Sequence, residues 1–132
     1  MEANPGFVNE WDWNYDTPLF VAVDKFQHVP LILWLVNEKG ADVNAAGNRN
    51  GLSLFHVASS CEVVKALLDC GTDPTLQEAT NDDTPLISYL WYSKRDSYMV
   101  LCLLENPQVR ATVNTRDRFS STALHYACQP NE

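Results

Sequence analysis

Apolar positions along the chain fall in short bursts separated by polar, turn-rich stretches, and the bursts come in pairs. The first burst of each pair opens on a hydroxyl residue: Thr17-Pro18-Leu19-Phe20, Ser53-Leu54-Phe55-His56, Thr84-Pro85-Leu86-Ile87 and Thr122-Ala123-Leu124-His125. Thr or Ser suits that place because its side-chain oxygen can accept from an orphan N–H in the first turn of a helix. Pro18 and Pro85 then take the first helical position, where a missing N–H costs nothing. Leu19, Phe55, Leu86 and Leu124 follow as core contacts. Five residues past the hydroxyl stand Ala22, Ala58, Tyr89 and Ala127. Small side chains there let neighbouring helices approach closely, and Tyr89 predicts different packing in the third unit.

The second bursts, residues 30–36, 62–68 and 99–104, predict a second helix in each unit. Trp34 reads as core within the first of them. Gly71 is placed to stop the second. Ser59 and Glu62 have capping-box spacing, which leaves the preceding helix only about a turn and a half. Residues 93–97 form a longer inter-helix loop. Asn48-Arg49-Asn50-Gly51 and Asn81-Asp82-Asp83 read as hairpin tips.

The hydroxyl anchors Thr17, Ser53, Thr84 and Thr122 are separated by 36, 31 and 38 residues. A second mark precedes each: Val8-Asn9, Val43-Asn44, Pro74-Thr75 and Val113-Asn114, with spacings to the anchor of 9, 10, 10 and 9. Two marks in step identify a repeat, and a repeat of this length is one small unit stacked on copies of itself. The units are uneven. Tyr15, Asp82 and Ser120 stand where the second unit has glycine, and residues 106–112 make a long connection.

Gly40-Ala41-Asp42-Val43-Asn44, Gly71-Thr72-Asp73-Pro74 and Thr122-Ala123-Leu124-His125-Tyr126-Ala127 together resemble the ankyrin repeat family, over essentially residues 8–128. The resemblance implies a mainly α solenoid of helix-turn-helix units with β-hairpin-like loops, about three full units plus partial ends. Residues 1–16 read as an N-terminal partial repeat, 17–128 as the repeat domain with units starting near 17, 53, 84 and 122, and 129–132 as a tail or truncation point. The last first-helix, around Leu124 and Tyr126, lacks a second helix to cover it. The chain is therefore expected to be part of a longer protein, or to have that end covered by a partner.

Composition narrows the function. With 45% hydrophobic and 20% charged residues the chain can bury a core. Nine Lys+Arg against 17 Asp+Glu, a net charge of −8, provide little for a phosphate-binding stripe or an acidic membrane surface. Nucleic acid and membrane are not expected partners. Cys61, Cys70, Cys102 and Cys128 lack zinc-type spacing and read as free thiols of a reducing compartment, cytoplasmic or nuclear. No phosphate loop, nucleophile elbow or metalloprotease helix occurs. His56 and His125, three residues past their anchors, read as backbone-bonded histidines, and Asp82 and Asp83 as solvated turn formers. No catalytic residue, metal or cofactor is implied.

The family's contact positions, carried over by the resemblance, fall on Trp13, Asn14, Asp16, Asp24 and Lys25 in the first unit. They fall on Arg49, Asn50 and Leu52 in the second, Thr80, Asn81, Asp83, Trp91 and Tyr92 in the third, and Arg118, Phe119 and Ser121 in the fourth. Aromatic and arginine residues dominate interface energy, so Trp13, Trp91, Tyr92, Arg118 and Phe119 lead. Two readings stand for some of them: Trp91 and Tyr92 as anchors or as cover for the third unit around Tyr89, and Trp11 and Trp13 as anchors or as an end cap. In the family that the chain resembles, the asparagine of the Val-Asn turn can be a hydroxylase substrate; Asn44 is the match here, and the alternative reading is that it only braces the turn. The expected function is a non-catalytic protein- or peptide-binding module or scaffold, with partners that carry basic patches. The alternatives are a regulatory or targeting segment of a larger enzyme and a structural self-association module.

Overall fold

The hydroxyl anchors do cap helices. In the computed structural model, which describes residues 5–47, 50–92 and 97–129, Thr17 Oγ1 accepts from the N–H of Phe20 and Thr84 Oγ1 from that of Ile87, both at 3.2 Å. Ser53 and Thr122 close reciprocal caps with histidine. Their own N–H groups donate to Nδ1 of His56 at 3.1 Å and of His125 at 3.0 Å. Histidine here does the work of the usual Glu or Gln. All four anchors are buried.

The helices are α1 (Pro5–Val8), α2 (Pro18–Val21), continued by a π-helical turn (Ala22–Phe26), α3 (Val29–Asn37), α4 (Leu54–Val57), α5 (Cys61–Asp69), α6 (Pro85–Tyr92), α7 (Ser97–Leu104), α8 (Pro107–Arg110) and α9 (Ala123–Ala127). They stack in two rows. The π turn after α2, then α4, α6 and α9 pack in sequence as first helices, and α3, α5 and α7 as second helices. Leu19, Phe20, Ile32, Leu54, Phe55, Val63, Leu67, Ile87 and Leu103 fill the space between the rows and the units. Among the described residues, pairing of strand type is limited to one bridge, Gly47 with Leu52. The long connection at 106–112 folds into α8, capped by Asn106, which accepts from Gln108 and Val109 N–H at 2.8 and 3.2 Å.

The Asp-x-Asn turns join the units. Asp42 Oδ1 accepts from the N–H of Asn44 at 2.9 Å within its own turn, and Asn44 Oδ1 accepts from the N–H of Asp73 in the next unit at 2.8 Å. Asn9 does the same for Asp42 at 2.7 Å. At the third unit the ladder changes: the Thr75 hydroxyl turns back to Asp73 Oδ1 at 2.6 Å.

Three expectations need correction. The cap of α5 is Ser60, whose Oγ accepts from the N–H of Val63 at 3.2 Å, so the Ser59–Glu62 pair is not a capping box. Trp34 is 48% exposed. Helix α3 carries more apolar residues than one face can bury; Ile32 and Leu35, three apart, turn inward. Trp34 lies off that face, with the Lys39 ammonium 5.1 Å from its ring centroid. Finally, Cys61 and Cys102 form a disulfide between α5 and α7, with Cα atoms 6.0 Å apart, leaving only Cys70 and Cys128 free. Stacking of second helices in consecutive units creates that proximity, which a separation of 41 residues does not reveal.

Four residues, each two before an anchor, adopt the left-handed backbone: Tyr15 (φ 65°), Gly51 (φ 67°), Asp82 (φ 57°) and Ser120 (φ 62°). The turn geometry is thus kept where glycine is lost, at a conformational cost. Ser120→Gly is expected to raise stability by about 0.5–1 kcal/mol. A Cβ at Gly51 would lie 2.9 Å from the Ala79 Cβ, so Gly51→Ala is expected to lower it by about 1–3 kcal/mol. Urea denaturation midpoints check both, and a Gly51→Ala protein of unchanged midpoint would refute the account. Breaking the Cys61–Cys102 bridge should cost about 2–4 kcal/mol. Reductant should therefore shift the midpoint of the native chain and leave that of the double Cys61→Ala, Cys102→Ala variant where it is.

Candidate binding surface

Each hairpin tip is closed by a backbone pair at its base. Asp12 N–H donates to Asp16 O at 3.0 Å, Gly47 to Leu52 at 2.8 Å, Glu78 to Asp83 at 2.9 Å and Asp117 to Ser121 at 2.9 Å. The first and last tips hold one residue fewer than the middle two, which explains the 9, 10, 10, 9 spacing. In three tips the residue at the base is acidic and its carboxylate gathers the N–H groups of the turn. Asp12 Oδ1 accepts from Asn14 at 2.8 Å and Asp16 at 3.0 Å. Asp117 Oδ1 accepts from Phe119 and Ser121, both at 2.9 Å. Glu78 accepts from Thr80 at 2.9 Å, Asp83 at 3.2 Å and Asn81. In the second tip Gly47 stands instead, because a Cβ there would fall 2.2 Å from the Phe20 ring.

The tips are also bonded to one another. Ala79 N–H donates to Asn50 O at 2.8 Å and Arg118 N–H to Asn81 O at 2.7 Å. Thr80 Oγ1 donates to Asn50 Oδ1 at 3.2 Å, and Gln77 Nε2 to Arg116 O at 3.2 Å. The result is a continuous, pre-ordered edge running from the second tip to the fourth.

On this framework Trp13 is 81% exposed in the first tip and Phe119 66% exposed in the fourth. Arg118 is exposed beside Phe119, its guanidinium 3.4 Å from Ala79 O. Asn14 and Asp16 are half-buried in the first tip, and Asp24 pairs with Lys25 at 3.2 Å behind it. Trp91 is 53% exposed and sits edge-on to Tyr126, ring centroids 5.4 Å apart, so it joins α6 to α9 while keeping an open side. Arg49 lies outside the described residues, and so does the side chain of Tyr92, whose backbone ends α6. Asn44 is exposed, with its amide oxygen engaged on Asp73.

Leu52, Asn50, Thr80, Asn81 and Asp83 come together with His56, Glu78, Ser88 and Tyr89 around a cavity of about 370 Å³ between the second and third units. Asp83 is not the solvated turn charge expected from its tip position. It is buried, at 4% exposed. Burial, then the charges of Glu78, Asp117 and Asp82 and its bond to Asp117, push its carboxyl up to about 6. Asp117 is also subject to burial, yet bonds from the Tyr126 hydroxyl and the Ser121 and Phe119 N–H groups hold it below the usual carboxylate range. Tyr126 is pushed up to about 12 by burial and by that bond. His56 Nε2 lies 2.8 Å from Asp83 O, while Nδ1 accepts from Ser53. The ring is thus a neutral donor at Nε2, and burial lowers its pKa.

Glu78, Asp117, His56 and Tyr89 were not singled out as surface-forming residues from the sequence. One signal was present: an acidic residue recurs five or six positions before the anchors at Asp12, Glu78 and Asp117. Among the described residues no group of His, Cys, Asp and Glu is arranged to hold a metal ion, and no helix is long and apolar enough to cross a membrane.

A raised carboxyl pKa makes the folded state the tighter proton binder. Asp83 therefore contributes stability in full below its ordinary pKa of 3.8, and the contribution is lost as pH rises through about 6. His56, shifted down, acts oppositely: its contribution is present above its ordinary 6.5 and fades as pH falls. Subtraction isolates Asp83. The stability of Asp83→Asn relative to the native chain should climb between pH 4 and pH 6 and then level, as read from urea midpoints across that range. A flat difference would show that the Asp83 carboxyl is not perturbed.

The family model for ankyrin repeats (3 copies) matches residues 1–78, more than half of the chain. No curated protein matches it. The matched segment carries the Asn9 and Asn44 braces, the first two tips and the helix pairs α2–α3 and α4–α5, and the same caps, turns and stacking continue through α9. The chain belongs to the ankyrin repeat family.

Proposed function

We propose that this chain is a non-catalytic binding module that holds a protein or peptide segment along its tips and first helices. Trp13, Phe119 and Trp91 serve as anchors, and Arg118 and Asp16 set register. Ankyrin repeats are generally protein–protein interaction modules and typically non-catalytic. The observation that carries the finer reading is the bonded edge of the second to fourth tips, with the exposed Phe119 at its last tip and the exposed Trp13 on the first tip, outside the bonded run. A pre-ordered edge loses little freedom on binding, and desolvated aromatic side chains are the usual sources of interface energy. The charge of −8 favours a partner with positive patches, mainly through faster encounter and rejection of acidic competitors.

A photo-crosslinking amino acid placed at Trp13, Thr80 or Phe119 tests the reading. In extract of the native host, all three positions should trap the same proteins. The same group at Lys65, exposed on second helix α5, should not. Equal adducts from Lys65 and from the tips would refute a tip-directed binding surface.

A further inference from the structure

The two outer faces of the stack are apolar, and they match the two sides of one interface. A repeat stack is kept soluble by polar outer faces, because each unit otherwise borrows its cover from a neighbour. The residue one past the hydroxyl anchor is buried in the second, third and fourth units, as Leu54, Pro85 and Ala123, where a preceding unit stacks. In the first unit the same position, Pro18, is exposed. It lines an open groove of about 430 Å³ on the front of the stack together with Trp11 and Phe26, both largely exposed.

The back of the stack shows the converse. The residue two past the anchor is 1% exposed as Leu19, 0% as Phe55 and 2% as Leu86, but its counterpart in α9, Leu124, is 69% exposed. A second helix and a following unit cover the first three, and among the described residues α9 has neither. The ladder of turn asparagines is open on this side too. Asn9 and Asn44 each accept from the unit that follows, while Asn114 is exposed and its side chain meets no partner among the described residues.

Charge is divided in the same sense. Glu10, Asp12 and Asp16 line the front groove, and no lysine or arginine does. Over residues 105–129 the exposed charges are Arg110, Arg116 and Arg118 against Glu105 alone. A second copy therefore offers the acidic front groove an apolar helix face in a basic surround.

We propose that copies of this chain associate head to tail, with α9 of one copy seated in the front groove of the next. Leu124 is the anchor, and Trp11, Pro18 and Phe26 form its seat. The contact repeats between chains the stacking that already joins the first helices within one chain. It is heterologous, so each copy keeps one free face and growth passes beyond a dimer. The inference does not depend on binding along the tips.

Sedimentation velocity of the full chain across a dilution series tests it. The native weight-average mass should rise with concentration past that of a dimer. Leu124→Asp and Trp11→Asp place a charge on an exposed position of the back and of the front face. Each alone should weaken association about tenfold or more. An equimolar mixture of the two retains one intact pair of faces, the groove of the Leu124→Asp copy and α9 of the Trp11→Asp copy. It should form a dimer and nothing larger. Urea midpoints matching the native value report that both variants are folded. Cys128→Ser, which removes the exposed free thiol, should associate as the native chain does. A native chain that is monomeric at every concentration would overturn the proposal. Undiminished association in either Asp variant, a mixture no more associated than its components, or loss of association in Cys128→Ser would overturn it equally.

Discussion

A helix of four residues cannot stand alone, because nucleating it fixes several residues for almost no internal hydrogen bonding. Helices α2 and α4 are that short, and α9 has only five residues. Burial between neighbours therefore holds the first row together, and the side-chain caps let so little helix suffice. Thr17, Ser53, Thr84 and Thr122 satisfy N–H groups that a single turn would otherwise leave open. In two units the histidine bonded back to the cap lies in the same short helix, and His56 reaches on to the Asp83 carbonyl of the next unit. Local capping and inter-unit stacking are thus partly the same bonds.

The tips apply the same economy to negative charge. Asp12, Glu78 and Asp117 neutralise turn N–H groups that the solvent would otherwise have to satisfy. Part of the acidity of the chain is therefore structural. Asp83 differs: it is buried, crowded by other carboxylates and left with one oxygen that is inaccessible and unpaired. The third unit, where Tyr89 replaces the small residue of its neighbours, is also where the Asn ladder gives way to Thr75 and where the cavity opens. Irregularity of sequence and concentration of unused hydrogen-bonding capacity coincide in one place.

Anchors, caps, second helices and tip positions were legible in the sequence because each depends on residues close together in the chain. The left-handed tips were marked only as lost glycines at Tyr15, Asp82 and Ser120, since composition does not show that the turn survives the loss. What the sequence concealed depends on contacts between units. The Cys61–Cys102 bridge, the burial of Asp83 and the clustering around Tyr89 each join residues far apart in the chain. Trp34 misled for a related reason: an apolar helix does not disclose which of its apolar residues the neighbouring row will cover.

The bridge also has a mechanical meaning. Residues 61–102 form a closed covalent loop that contains the whole third tip and helix α6. A pull applied to the two ends of the chain crosses that loop through the sulfur–sulfur link. The third tip and helix α6 bear none of the tension along their own backbone and add no length when the rest is drawn out.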